Sequence, residues 1–156
     1  MKPKDPKELS RMAQVYLQQV ATAEHDLVTL RARVAHYEDL GLSITSHMSS
    51  TPVQGQKGAS RVETAAVGIV DGLQSINAKI GAYEAIVSHA ENLIGRVPQE
   101  PYRRLLTLRY LCGWKLPRIG DELRYTDRNS VYRAHGWALV KFGEVLEKDG
   151  KTDIKA

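Results

Sequence analysis

The sequence predicts an all-α protein: a long, coiled-coil-like antiparallel helical hairpin followed by a compact three-helix head. Three observations predict it. Apolar residues recur in steps of three, four and seven through the first 40 positions. A second run with the same period fills positions 66–94. Toward the C-terminus, short helical stretches alternate with glycine, proline and helix-capping residues. Aromatic residues make up only 6% of the chain, which favours helical packing over a β-sandwich.

At 156 residues the chain is one domain by size, or two small modules. We divide it into a helical hairpin and oligomerisation region (1–98), a head (99–149) and a tail (150–156). Its 42% apolar content is ordinary for a folded protein. No apolar run approaches the ~20 residues of a membrane span, so no membrane association is expected. The opening MKPKDPKELS has no apolar core and does not read as a signal peptide. A single cysteine, Cys112, excludes an internal disulfide and fits a reducing compartment, hence a cytoplasmic location. Set among apolar residues, it reads as a small buried hydrophobe.

The first helix starts near Pro6 and runs to about Leu40. Leu9, Tyr16, Ala23, Leu30 and Tyr37 fall seven apart, and Ala13, Val20, Leu27 and Val34 interleave with them. Met12 and Val15 widen this stripe. It is a heptad pattern, about 50 Å long at ~1.5 Å per residue. Gly41, which readily adopts a left-handed C-cap, is expected to end it. Residues 42–61, LSITSHMSSTPVQGQKGASR, are rich in Ser, Thr and Gly and read as a long flexible loop. His47 and Met48 lie in it, but two residues do not make a metal site.

The second helix is expected from about Val62 to Ile94, with Ala66, Ile69, Leu73, Ile76, Ile80, Tyr83, Val87, Ala90 and Ile94 as its seam. Two helices with matching seams, joined by one loop, suggest an antiparallel hairpin. Two helices alone bury little, and an exposed apolar stripe is costly. We therefore expect a homodimer or higher oligomer, the alternative being a monomeric arm. The contacts would run through Leu9, Tyr16, Val20, Leu27, Leu30 and Val34 of the first helix. Ile69, Leu73, Ile76, Ile80 and Val87 would supply them from the second.

Pro98 and Pro101 break the second helix and set the entry to the head. The head's first helix is expected to start within Gln99 to Tyr102 and to run through Leu105 to Leu111, ended by Gly113. Arg103, Arg104 and Arg109 lie on it, as candidate phosphate or protein contacts or as solvated surface. A short second helix spans Leu116 to Leu123. Pro117 is tolerated in its first turn, where no intrahelical N–H partner is lost. Arg124 and Tyr125 make a tight turn. A third helix starts at Thr126, whose hydroxyl can cap it, with Asp127 favourable against the helix dipole. Val131, Ala134, Ala138, Phe142 and Val145 mark its buried face.

Helix, tight turn, helix, with arginine and asparagine leading the second element, is the arrangement that enters a DNA major groove. With Val131 inward, steps of 100° put Asn129, Arg133 and Gly136 nearly opposite, flanked by Arg128, Tyr132 and Trp137. Arginine can donate two hydrogen bonds to guanine, and asparagine can pair with adenine. Arg128, Asn129 and Arg133 are therefore the candidate base readers. Thr126, Ser130 and Tyr132, with Lys115, Arg118 and Arg124 at the mouth of the motif, are candidate backbone contacts. Gly136 would permit close approach of DNA or of another helix. Trp114 and Trp137 read as packing residues, and His135 as half-buried.

Charge agrees with this placement. Residues 1–99 hold ten Lys/Arg and ten Asp/Glu, whereas residues 100–156 hold twelve against eight. The whole formal surplus of +4 thus lies with the head, where phosphate contact would need it. The five histidines are scattered without metal-ligand spacing, and no phosphate loop, dinucleotide fingerprint or nucleophile elbow occurs. No enzyme activity, cofactor or metal is expected.

The run RYLCGWKLPRIGDELRYTDRNSVYRAHGWAL resembles the promoter-reading C-terminal helix-turn-helix of sigma factors. It is more closely similar to small phage regulators of the ArpU/RinA type. The matching positions are Arg109-Tyr110, Ile119 to Leu123, Tyr125-Thr126 and Val131 to Leu139. The segment TPVQGQKGAS and the helix after it are similar to that family's spacer, so the resemblance covers most of the chain. It implies a sequence-specific, double-stranded DNA-binding regulator: a phage or prophage late-gene activator acting with host RNA polymerase. A phage DNA-packaging recognition subunit, or a coiled-coil interaction adaptor, is the alternative.

Overall fold

A computed structural model gives the fold for residues 2, 4–50 and 56–155, with side chains at 2, 4–46 and 61–150. Every regular element among the described residues is helical. Helix α1 spans Pro6–Ser50 and α2 spans Gln56–Gly95. Helix α3, Glu100–Leu106, continues into a π-helical turn over Thr107–Leu111. Helix α4 spans Leu116–Glu122 and α5 spans Arg128–Lys155. The chain divides into two compact units, residues 25–84 and residues 1–24 with 85–156. The unit that holds the head therefore also takes in both outer ends of the long helices.

The long helices differ from the sequence expectation at their junction. Helix α1 does not stop at Gly41 but runs on to Ser50, and α2 begins at Gln56, six residues before Val62. Much of the expected loop 42–61 is thus helical, while 51–55 and the side chains of His47 and Met48 lie outside the described residues. Gly41 is not left-handed, and nothing stands within 4 Å of where its Cβ would be. The Thr45 hydroxyl donates to the Gly41 carbonyl at 2.9 Å. Extending an existing helix adds one hydrogen bond per residue fixed, so a lone unstrained glycine does not end it. At the other terminus α5 takes in 150–155, read from the sequence as a tail.

In the unit 25–84, Leu27, Leu30 and Ile76 are buried, and Val34, Ile69, Leu73 and Ile80 are half-buried. Ala66, placed in the seam by its spacing, is exposed. Arg31 of α1 pairs with Glu84 of α2 at 3.1 Å. Tyr37 lies over Gly72, where a Cβ would stand 2.9 Å from the ring. Large apolar side chains remain outside, among them Val28 (65% exposed) and Leu42 (69%).

In the other unit the core is shared by all five helices. Ala13, Leu17, Leu93, Val97, Leu105, Leu106, Ile119, Val131 and Phe142 are buried together. Leu9, Val20 and Val87 are also buried, and Tyr16 packs its ring 5.7 Å from that of Phe142. The heptad reading took Tyr16 for the stripe and passed over Leu17, which is the fully buried one of the two. Val15, expected to widen the seam, is 54% exposed. Helices α1 and α5 come into close backbone contact at Gly143. A Cβ there would stand 2.7 Å from the Leu9 carbonyl carbon and closer still to its oxygen.

The link from α2 to α3 is closed by Arg103, whose guanidinium donates to the carbonyls of Val97 (2.6 Å) and Pro98 (3.0 Å). Arg109 likewise donates to the Trp114 carbonyl at 3.1 Å. Two of the three arginines read as surface contacts are therefore used to satisfy backbone acceptors.

Candidate nucleic-acid interface

The candidate interface is built on α4, the turn after it and the first half of α5. Helix α4 starts with Lys115 extended as its N-cap and Pro117 in the first turn, as the sequence predicts. It buries Leu116, Ile119 and Gly120. Gly120 is a contact position: a Cβ there would meet Val131 Cγ1 at 3.3 Å. The small residue lets α5 settle onto α4, and that seating fixes which face of α5 points away.

The turn is closed by a helix C-cap built without glycine. Arg124 takes φ 59°, in the left-handed region. The Arg124 N–H donates to the Asp121 carbonyl at 3.3 Å, and the Tyr125 N–H to the Gly120 carbonyl at 2.9 Å. These are the two bonds of a Schellman cap. Left-handed geometry costs a non-glycine residue about 1–2 kcal/mol, so the turn holds some strain.

Helix α5 is capped by Asp127, not by Thr126. The Ser130 N–H donates to Asp127 Oδ1 at 2.8 Å, three positions into the helix. That bond, ahead of the other contributions, holds the Asp127 carboxyl below its ordinary 3.8. Asp127 also lies 3.9 Å from Arg133, a loose pair between two exposed side chains that carries little energy.

From this start α5 turns Val131, Ala134, Ala138, Leu139 and Phe142 into the core. Arg128, Asn129 and Arg133 are exposed, and Tyr132 with them. Asn129 and Arg133 thus lie on the face away from the core and Arg128 at its flank, all three exposed where guanidinium forks and an amide can donate freely. Lys115, Arg118, Arg124 and Thr126 are exposed around the ends of α4, and Ser130 is half-buried through its use in the cap. Arg118 lies 3.6 Å above the ring of Trp114, which holds its charge on the protein surface.

Three expectations about single residues fail. Cys112 is exposed, because it falls just past the π-helical turn, before Gly113 swings the chain away at φ 71°. Trp137 is 58% exposed and does not pack into the core. At Gly136 only the helix alternative fails: its Cβ position is open, and a close helix approach is found one heptad later at Gly143. His135 is half-buried, as expected, with Nε2 2.8 Å from the Tyr110 hydroxyl.

One part of this surface has no signal in the sequence. Pro6, Lys7 and Ser10 of α1 line a shared groove with Arg133, Gly136, Trp137 and Val140 of α5. Only the fold brings the start of the chain beside the third candidate reader.

Of the candidate oligomerisation residues, Leu9, Val20, Leu27, Leu30, Ile76 and Val87 are buried within the single chain. Tyr16, Val34, Ile69, Leu73 and Ile80 are half-buried. Among the described residues, no three His, Cys, Asp or Glu side chains converge on a point that could hold a metal ion. No described helix is long and apolar enough to cross a membrane. Protein-family models, curated proteins and solved structures were all compared with this chain, and none matches it.

Proposed function

We propose that this chain is a sequence-specific regulator of transcription that binds double-stranded DNA. In this reading residues 99–149 are a sigma-like helix-turn-helix, and the first turns of α5 enter the major groove. Arg128, Asn129 and Arg133 read base edges, while Lys115, Arg118, Arg124, Thr126, Ser130 and Tyr132 hold phosphates. One observation carries the reading. Val131 seated on Gly120, together with the Arg124 and Asp127 caps, leaves Asn129 and Arg133 exposed on the face of α5 opposite its buried stripe, with Arg128 exposed at the flank. The sequence resemblance adds the setting: a phage late-gene activator in the bacterial cytoplasm, with host RNA polymerase as its partner.

The long helices serve in this reading as an antiparallel hairpin that pairs two heads. The Arg31–Glu84 and Tyr37–Gly72 contacts support it, because the partner number in α2 falls as that in α1 rises. The exposed Val28, Leu42, Val67 and Val70 offer apolar surface to a second copy. A dimer would place two heads on half-sites about 34 Å apart, or a multiple of that. The same apolar surface also favours a second reading, a ring-forming DNA-packaging recognition subunit. Light scattering separates the two, since the regulator is a small oligomer and the packaging subunit a large ring.

The test of DNA reading is selection from a pool of random duplexes at physiological salt. The regulator enriches one motif, bound roughly a thousandfold or more tighter than bulk DNA. A pool that stays random after selection rules the reading out and leaves an interaction adaptor.

A further inference from the structure

We propose that the start of α1 is a second half of the DNA interface, with Lys7 contacting the phosphate backbone beside the groove that Arg133 reads. This rests on the DNA-binding reading above and extends it to a segment that the helix-turn-helix does not contain. Lys7 and Ser10 line the same groove as Arg133 and Trp137, roughly one and a half to two and a half turns beyond the start of α5. A helix that puts its first turns into a major groove about 12 Å wide carries its later turns up to the strand at the groove's edge. At ~1.5 Å per residue, the stretch from Arg133 to Val140 covers roughly 10 Å of that climb.

The chemistry of the groove suits a sugar–phosphate edge. Its cationic groups are Lys7 and Arg133, its hydroxyl is Ser10, and its apolar wall is Pro6, Trp137 and Val140. No carboxylate lines it among the described residues. Lys2 and Lys4, both exposed, precede it along the chain. Residues 1–11 hold four Lys/Arg against Asp5 and Glu8, a local surplus of two. Position is also set by close packing: the Gly143 backbone lies against that of Leu9, next to the residues that line the groove. Arg133, shared by the reading face and the groove, makes the two surfaces continuous.

The measurement is the slope of log Kd against log salt for a mixed-sequence duplex pool of about 30 base pairs, roughly three helical turns. Each phosphate neutralised adds about 0.9 to that slope. Lys7→Gln lowers it by about one, and the triple change Lys2→Gln, Lys4→Gln, Lys7→Gln lowers it further, with the selected motif unchanged. Lys79→Gln, an exposed change on α2, serves as the control and leaves the slope alone. All of these are surface changes, so helicity and melting temperature stay at the wild-type value. If wild type binds DNA and the Lys7 variants keep the slope of the Lys79 control, the α1 contact is overturned while the helix-turn-helix reading stands. If wild type shows no salt-dependent binding, both fall together.

Discussion

The phenolic oxygen of Tyr110 lies 2.8 Å from Nε2 of His135, and the two rings stack at 5.8 Å. The pair joins the π-helical turn after α3 to the first half of α5, one turn before Leu139 enters the core. Burial first, and Arg109 second, lower the His135 pKa below 6.5. With the imidazole neutral and protonated at Nδ1, the hydroxyl donates and Nε2 accepts.

This relation predicts the pH dependence of stability. A histidine whose folded pKa lies below its unfolded value binds more protons when unfolded. Its contribution is therefore complete above about 6.5, and it shrinks as pH falls from there to the folded pKa. Tyr110, raised above 10.0 by burial, titrates only beyond the alkaline end of that range. Urea titrations of wild type from pH 7.5 down to 5, taken as a span around the ordinary histidine value, should show a fall in stability. His135→Phe keeps the ring and removes that part of the fall. At pH 7.5 it costs about 1 kcal/mol, as the Tyr110 hydroxyl loses its partner. An identical pH profile in both proteins would show that His135 is not the group responsible.

Two glycines seven residues apart on α5 should respond in opposite directions to alanine. At Gly143 the new Cβ would collide with the Leu9 backbone, which cannot rotate away as a side chain could. Gly143→Ala should cost about 1–3 kcal/mol, the usual range for overpacking. At Gly136 the space is open. There alanine gains up to about 1 kcal/mol of helix propensity. Chemical denaturation of the two variants reads both signs, and equal losses would mean that α1 does not cross α5 at Gly143.

These glycines also mark what could be read from the sequence and what could not. The 3.6-residue period places Val131, Ala134, Ala138 and Phe142 on one face of α5, and the structure buries all four. That information is local. Gly136 and Gly143 share nearly the same stripe, and only the crossing point of α1 distinguishes them. The same holds for Lys7 beside Arg133, a meeting of residues more than a hundred positions apart. Gly41 failed as a stop signal for another reason. A glycine ends a helix when its left-handed conformation is used, as Gly113 does at φ 71°, and composition alone does not say whether it is. The sequence points to Thr126 as the cap, with Asp127 in a dipole role only; the cap lies one residue later, at Asp127.

Arg124 should be a site where stability and DNA binding part company. Its left-handed backbone is one that glycine adopts without cost. Arg124→Gly is therefore expected to raise stability by roughly 1 kcal/mol through relief of the turn. As a phosphate contact it should at the same time weaken DNA binding evenly across sequences and flatten the salt slope by about one. A thermal melt and a salt titration on one protein measure both. Weaker folding after the change would mean that the guanidinium, rather than the backbone, dominates at this turn.

The exposed reading face yields the most specific expectation. Arg133 makes a loose 3.9 Å approach to Asp127, so its guanidinium can leave that partner at little cost to meet a base. If it donates two bonds to a guanine, Arg133→Ala loses about 1–3 kcal/mol on the preferred motif and relaxes the preference at a single position. Bulk-DNA affinity falls less, since one charge among several is removed. Position-by-position selection on wild type and variant gives the comparison directly. A uniform loss at all positions would reassign Arg133 to the phosphate-binding groove it shares with Lys7. The reading would then rest on Arg128 and Asn129, one helical turn earlier on α5.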